Sequence, residues 1–133
     1  MDKNIAVQSL MTLCPHSVGL DQDVEIARKM MQEHGVHHLP VLEGGRLIGI
    51  ISDRDIKFAS GWEDAKDSSF TVKDVYIPEP YIVTPETKLE VVLRRMVQDQ
   101  IGCVLVAIHT DKLVGIFTTT DACRYLAEIL ESK

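Results

Sequence analysis

The chain consists of two related halves, and this internal repeat constrains its fold more than any other feature. VQSLMTLCPHSV at 7–18 aligns with VKDVYIPEPYIV at 72–83 at an offset of 65. One additional residue in the second half then raises the offset to 66. Self-similarity at a fixed period indicates that both halves form the same supersecondary unit. Equivalent positions are Met31 and Met96, Gly49 and Gly115, Ser52 and Thr118, and Asp55 and Asp121.

The repeat predicts five segments along the chain. The stretch SGWEDAKDSSF between the halves is polar, contains glycine and serine, and is typical of a linker. We therefore expect a leader at 1–6, a first repeat at 7–59, a linker at 60–71, a second repeat at 72–130 and a tail at 131–133.

The first repeat contains an amphipathic helix. Val24, Ala27 and Met31 recur at i, i+3 and i+7, which places them on one helical face. Asp21 or Asp23 can cap the start of this helix, and Gly35 suits the left-handed position just past its end.

The second repeat predicts the same helix with different ends. Leu89, Val92 and Met96 supply the apolar face, and TKLE at 87–90 matches a capping box that begins at Thr87. Gln100 takes the place of the glycine, so we expect this helix to end less favourably.

Each helix is followed by two short apolar runs and a closing helix. The runs meet at Gly44–Gly45 in the first repeat and at 109–111 in the second, which favours β-hairpins. The closing segments are DRDIKFA and TTDACRYLAEIL. A unit this small leaves one apolar sheet face uncovered, so we expect an α+β fold in which the two repeats pack sheet to sheet.

Charge and hydropathy exclude several classes of protein. The net charge is −6, and Lys and Arg form no cluster, which argues against nucleic acid as a partner. No apolar run reaches the roughly 18 residues of a membrane span, and the first residues lack the pattern of a signal peptide. We therefore expect a cytoplasmic protein without membrane contact.

The cysteine pattern suggests neither disulfides nor a thiolate metal centre. Cys14, Cys103 and Cys123 are widely spaced and form no CxxC pair. We interpret Cys103 and Cys123 as small buried apolar residues. Cys14 with His16 and the histidines of HGVHH at 34–38 have the residue types of metal ligands, but we predict no metal site.

Motifs of catalysis are missing from the sequence. It contains no GxxxxGK[ST] loop, no HExxH and no GxSxG, and no nucleophile lies in a recognisable setting. We therefore predict no catalytic residues and no enzymatic activity.

The ordered motifs of the first half, HLPV followed by GRLIGIISDRD, resemble those of a cystathionine β-synthase (CBS) domain. The second half is similar to the same domain, with CVLV in place of HLPV. The resemblance implies tandem β-α-β-β-α repeats with pseudo-two-fold symmetry, a Bateman module. It also implies a homodimer, a disc of four CBS units, and a cleft between the repeats that binds an adenosine-containing ligand.

The ligand motif that this family uses matches GIISDRD at 49–55 and GIFTTTD at 115–121. The motif predicts a hydroxyl, Ser52 or Thr118, at a helix N-terminus, where unpaired N–H groups favour phosphate. The carboxylate of Asp55 or Asp121 can accept hydrogen bonds from a ribose diol. The same residues also suit a helix cap that needs no ligand.

Further contacts are implied by the resemblance. It places His37 and His38 near the phosphates, whereas Gly102 and Cys103 at the matching positions offer no charge, so the two sites should differ. We expect Asp53 and Arg54 to be exposed residues at the helix start, and of these two Arg54 is the candidate for contact with a phosphate. Further candidate ligand-binding residues are Thr120, Val36, Ile101, His16 and Tyr81.

Three functions therefore remain open at this point. The first is a regulatory module that binds AMP, ADP, ATP or an S-adenosylmethionine type of ligand, requires no cofactor and signals to an unidentified effector protein. The second is a ligand-free dimerisation or scaffold module that uses the last helix, where apolar side chains repeat at helical spacing. The third is a metal- or redox-responsive stress protein. The apolar residues of that helix are Tyr125, Leu126, Ile129 and Leu130.

Overall fold

The computed structural model describes residues 3–13, 16–61 and 70–132, so Cys14 and most of the expected linker lie outside the described residues. The chain divides into two compact units. Unit I comprises the described residues of 16–80, and unit II comprises 3–13 together with 81–132. Among the described residues, no helix combines the length and the apolar character needed to cross a bilayer.

The structure contains the following elements. They are β1 (Thr12–Leu13), β2 (Val18–Gly19), α1 (Val24–His34), β3 (His38–Glu43), β4 (Arg46–Ser52), α2 (Asp53–Gly61), α3 (Val72–Val75), β5 (Ile77–Pro78), β6 (Ile82–Val83), α4 (Leu89–Asp99), β7 (Cys103–Ile108), β8 (Lys112–Thr118) and α5 (Thr119–Glu131). A short 3-10 helix at Val7–Ser9 precedes β1.

Unit I is a four-stranded sheet in the order β2-β3-β4-β5. β2 pairs parallel with β3, while β3 and β4 form the antiparallel hairpin predicted from Gly44–Gly45. Both glycines have positive φ, which a tight hairpin turn requires. The predicted apolar face of α1 is buried in the core of this unit.

Unit II repeats this architecture in the order β1-β8-β7-β6. Its core centres on α4, β7 and β8, where Val92, Val104 and Phe117 are fully buried. Both units follow the order β-α-β-β-α, which confirms the α+β prediction.

A two-residue strand in each sheet comes from outside the β-α-β-β-α segment. β1 pairs antiparallel with β8 of unit II, and β5 pairs antiparallel with β4 of unit I. The chain therefore passes between the units twice, once before β2 and once before β6. β1 belongs to the first sequence repeat but pairs in unit II, and β5 belongs to the second repeat but pairs in unit I.

The ends of α1 and α4 differ as their sequences suggest. Asp23 caps α1 by accepting a hydrogen bond from the backbone N–H of Glu25, and Gly35 follows with φ of 63°. Gln100 adopts the same left-handed conformation after α4, with φ of 55°. This conformation is unfavourable for a residue with a Cβ atom.

The capping box predicted at Thr87 is wrong. α4 begins one residue later, with Lys88 at the N-cap and no side-chain cap. The backbone N–H of Leu89 donates instead to the carbonyl of Ile5, over 2.9 Å. The Thr87 hydroxyl lies 3.0 Å from the hydroxyl of Thr84 and shares a hydrogen bond with it. A tertiary backbone contact thus replaces the expected local cap.

The prediction that Cys123 is buried is also wrong, whereas Cys103 is buried as expected. Ala122 and Tyr125 pack against the core of unit II. Cys123 lies between them in sequence but points away from that face, because successive helical residues are about 100° apart.

Candidate functional site

The first motif joins β4 to α2 through two hydrogen bonds in unit I. The Ser52 hydroxyl donates to Oδ2 of Asp55 over 2.7 Å. The backbone N–H of Asp55 donates in return to Oγ of Ser52 over 3.1 Å. Oδ1 of the half-buried Asp55 has no hydrogen-bond partner among the described residues. One carboxylate oxygen at this junction can therefore accept further hydrogen bonds.

The second motif forms a capping box at the start of α5 in unit II. Oδ2 of Asp121 accepts from the backbone N–H of Thr118 over 2.9 Å and from its hydroxyl over 3.2 Å. The backbone N–H of Asp121 donates to Oγ1 of Thr118 over 3.3 Å. Asp121 is buried, with only 6% of its surface exposed.

Two side chains that sequence reasoning missed also contact Asp121. Nη1 of Arg124 donates to Oδ1 over 2.9 Å, and the Thr12 hydroxyl donates to the same oxygen over 3.3 Å. Arg124 follows Asp121 by one helical turn, a spacing at which ion pairs form. Thr12 arrives with β1, a strand too short to leave a signal in the sequence.

The glycines of the two motifs allow a neighbouring segment to approach the strand. A Cβ atom on Gly49 would lie 2.4 Å from Cδ2 of Tyr76 and 2.5 Å from the carbonyl oxygen of Ile77. A Cβ atom on Gly115 would lie 2.7 Å from Sδ of Met11. Real Cβ contacts are never this short. The motif glycines therefore admit the segments that lead into β5 and β1.

The first backbone N–H groups of α2 and α5 have partners within the chain. The Asp53 N–H donates to the carbonyl of His37 over 3.0 Å, and the Thr119 N–H donates to the carbonyl of Gly102 over 3.1 Å. The N–H two residues later binds the motif hydroxyl in each case. The sequence predicted unpaired N–H groups here, whereas the first and third N–H groups of each helix are paired within the chain.

His38 lies opposite Ser52 in the β3–β4 pairing and is partly buried. Burial lowers the pKa of His38 below its ordinary value, and this effect outweighs the attraction of the Asp53 and Asp55 carboxylates. His38 is therefore neutral at pH 7 and can either donate or accept a hydrogen bond beside the motif hydroxyl.

His37 is exposed, and its Nδ1 lies 2.8 Å from Oδ2 of Asp53. Burial alone would raise the pKa of Asp53, but the hydrogen bond from His37, its charge, the Arg54 N–H and Lys57 together lower it. Asp53 is thus an ionised partner of His37, rather than the exposed helix-start residue that the sequence suggested.

The remaining predicted site residues are spread over both units. Arg54 and Thr120 are exposed in the first turns of α2 and α5. Val36 and Ile101 follow the left-handed residues that end α1 and α4, and each donates its N–H to that helix. The Tyr81 ring lies 4.7 Å from the guanidinium carbon of Arg95 in unit II.

His16 contacts another histidine in unit I. Its ring stacks on that of His34 with 3.6 Å between the ring centroids. No group of three or more His, Cys, Asp or Glu side chains in the described ranges could hold a metal ion. Cys14, the other ligand considered with His16, is not among the described residues.

A family comparison decides what this repeated junction belongs to. The model of the CBS domain matches residues 7–61 and 72–128. The chain belongs to the CBS domain family. The two matched segments correspond to the two halves of the internal repeat.

Curated relatives show that such CBS pairs occur both within larger proteins and in short ones. The chain is 30% identical over 119 residues to an inosine-5′-monophosphate dehydrogenase from Korarchaeum cryptofilum and covers 23% of that protein. It covers 34% of zinc metalloprotease MJ0392 from Methanocaldococcus jannaschii, at 33% identity. It covers 81% of CBS domain-containing protein YhcV from Bacillus subtilis, at 31% identity over 87% of this chain. The chain thus spans about a quarter to a third of the first two relatives.

Solved structures of CBS pairs share the fold. CBSX2, whose crystal structure is a complex with AMP, is 26% identical with a TM-score of 0.79, and the match covers 95% of this chain and 98% of that one. The CBS domain pair of MJ0100, solved with 5′-methylthioadenosine and S-adenosyl-L-methionine, has a TM-score of 0.83. That match covers 93% of this chain and 97% of the other, and at 23% identity it supports the fold alone.

Proposed function

We propose that this CBS domain pair is a regulatory module that binds an adenosine-containing ligand and signals to a separate effector protein. The observation that carries the proposal is the strand-to-helix junction with its hydroxyl and carboxylate, which occurs once in each unit. The AMP complex of CBSX2 supports the choice of ligand class. A cofactor or catalytic residue is not part of the proposal.

The geometry of unit I suits a ribose. Oδ1 of Asp55 is open to a hydroxyl of the 2′,3′-diol, while Oδ2 stays fixed by Ser52. A carboxylate offers about four acceptor positions, so it can hold both its cap and a diol. His38 and Arg54 are the nearby candidates for a phosphate, because His38 lies opposite Ser52 and Arg54 is exposed in the first turn of α2.

Replacement of Asp55 by alanine tests the proposal. We expect Asp55→Ala to weaken binding of AMP or S-adenosylmethionine at its own site by roughly 30- to 150-fold, about 2 to 3 kcal/mol, because charged hydrogen bonds are lost. Isothermal titration calorimetry of the purified chain with AMP, ADP, ATP, S-adenosylmethionine and 5′-methylthioadenosine measures the effect. Asp121→Ala is the corresponding variant for unit II.

Loss of a helix cap must be separated from loss of a ligand contact. The Thr71–Asp74 capping box at the start of α3 provides the control, because Oδ2 of Asp74 accepts from the Thr71 N–H over 2.9 Å. We expect Asp74→Ala to remove cap energy and leave ligand affinity unchanged. Equal loss of affinity in Asp74→Ala and Asp55→Ala would assign the motif to capping alone.

The homodimer and the effector protein belong to the same proposal. Leu126 and Leu130 on α5 are 56% and 76% exposed, which supports a role for this helix in contact with another chain. The same exposure favours the alternative function, a ligand-free dimerisation or scaffold module. Absence of measurable binding for every adenosine ligand in the calorimetry would favour that alternative.

A further inference from the structure

The two motif carboxylates differ sharply in how many hydrogen bonds they already accept. Among the described residues, Asp55 accepts one, from the Ser52 hydroxyl. Asp121 accepts four, two on each oxygen. Four is about the full capacity of a carboxylate. The sequence motif is the same in both units, but only Asp55 has acceptor positions to spare.

The additional donors in unit II come from positions whose equivalents in unit I cannot donate. Arg124 corresponds to Phe58 at the repeat offset of 66, and Thr12 corresponds to Ile77, because they pair with the equivalent residues Ile116 and Ile50. The side chains of Phe58 and Ile77 are apolar and carry no hydrogen-bond donor. The two units therefore differ in the number of donors to the motif carboxylate because of residues at two positions outside the motif.

A ribose diol must displace these donors before it can bind Asp121. Oδ2 is fixed by both donors of Thr118, so the diol needs Oδ1, which Arg124 and Thr12 occupy. The Arg124 side chain is 59% exposed, and solvent can take over its hydrogen bonds when it leaves. Breaking this contact costs part of the binding energy in unit II and nothing in unit I.

We propose that Arg124, assisted by Thr12, is a specificity-determining residue that holds the Asp121 site closed, so that the Asp55 site fills first. This inference rests on the proposed function. The ligand competes with the Arg124 guanidinium for Oδ1 of Asp121, so this site fills only at higher ligand concentration. The two units of one chain thus respond to different ranges of ligand concentration.

The test uses adenosine, which lacks a phosphate, so that loss of the Arg124 charge does not also remove an attraction to the ligand. The Asp55→Ala variant leaves the Asp121 site as the site under study. Addition of Arg124→Ala to this variant should tighten adenosine binding roughly three- to tenfold, in line with the loss of a partly exposed charged hydrogen bond. Calorimetry measures the affinity, and urea unfolding checks that each variant is folded.

Two further variants sharpen the result. Thr12→Val removes the other donor to Oδ1 and should tighten adenosine binding in the same direction with a smaller effect. Arg28→Ala is the matched control, because Arg28 forms an ion pair with Glu25 over 2.8 Å at the same three-residue spacing, on α1 of unit I. We expect Arg28→Ala to leave the affinity unchanged.

The outcomes separate this inference from the proposed function. Unchanged or weaker adenosine binding in both Arg124→Ala and Thr12→Val, with AMP still bound by the unsubstituted chain, overturns the inference alone. Equal affinity of the two sites in the unsubstituted chain also overturns it. Absence of AMP and adenosine binding from the unsubstituted chain and every variant overturns the proposed function, and the inference falls with it.

Discussion

At the residue scale, the same side-chain type has a different character in each unit because of its neighbours. Asp55 retains an open oxygen, whereas Asp121 is buried and saturated by four donors. Opposite the motif hydroxyl lies His38 in unit I and Cys103 in unit II. A histidine thus lies opposite only one of the two motif hydroxyls.

His38 should make the stability of the protein depend on pH. Its pKa is lowered by burial in the folded state, so the unfolded chain binds more protons as the pH falls below about 6.5. The free energy of unfolding should therefore fall from about pH 6.5 downward, through the lowered pKa of the folded state. In His38→Gln this part of the pH dependence should be lost.

Urea denaturation at a series of pH values between about 7.5 and 5 measures this effect as a difference between variant and unsubstituted chain. His109 is exposed in the β7–β8 turn, and His109→Asn provides the control for the replacement of a histidine as such. A slope that is the same for His38→Gln and the unsubstituted chain would contradict the assignment.

At the element scale, α1 and α4 are equivalent helices of the two repeats that are followed by different residues. Both are followed by a residue with φ near 60°, Gly35 in one case and Gln100 in the other. A Cβ atom on Gly35 would meet nothing within 4 Å. The cost of a side chain at this position therefore comes from the left-handed backbone conformation and not from a steric clash. A reciprocal exchange between these positions isolates the cost of the left-handed conformation.

We expect Gln100→Gly to stabilise the protein by about 1 kcal/mol and Gly35→Gln to destabilise it by a similar amount. Equilibrium unfolding in urea measures both changes. Gly19→Ala offers a neutral reference, because an added Cβ atom would meet its nearest neighbours at 3.9 Å without strain. Opposite signs for the reciprocal variants support the account, and equal signs contradict it.

Sequence reasoning recovered the elements where the pattern is local. The apolar period of α1, the glycine pair of the first hairpin and the additional residue of the second hairpin all appear in the structure. The cap at Thr87 was mispredicted because Ile5, distant in sequence, supplies the first hydrogen bond of α4. Local patterns cannot anticipate a tertiary contact that satisfies the same group.

The candidate site divides in the same way. Recurrence of the motif identified Asp55 and Asp121, because the motif is a local pattern. The three-residue spacing of Asp121 and Arg124 can be seen in the sequence, but Glu25 and Arg28 form an exposed ion pair at the same spacing. Burial of Asp121 and the hydroxyl of Thr12 distinguish the two cases, and both depend on the folded chain.

At the scale of the whole molecule, the two compact units do not coincide with the two sequence repeats. β1 and β5 each complete a sheet whose other strands are encoded elsewhere in the sequence. The absence of a side chain at Gly49 and Gly115 allows these strands to pair there. β1 and β5 therefore lie directly beside the glycine of each motif.

Titration of ¹⁵N-labelled protein with AMP, followed by amide chemical shifts, tests whether the two motif junctions bind an adenosine ligand. We expect the amides at 36–38 and 52–55 to shift first, and those at 118–121 to shift at higher AMP concentration. Shifts confined to other regions, or no shifts at either motif, would contradict the claim that these junctions bind an adenosine ligand.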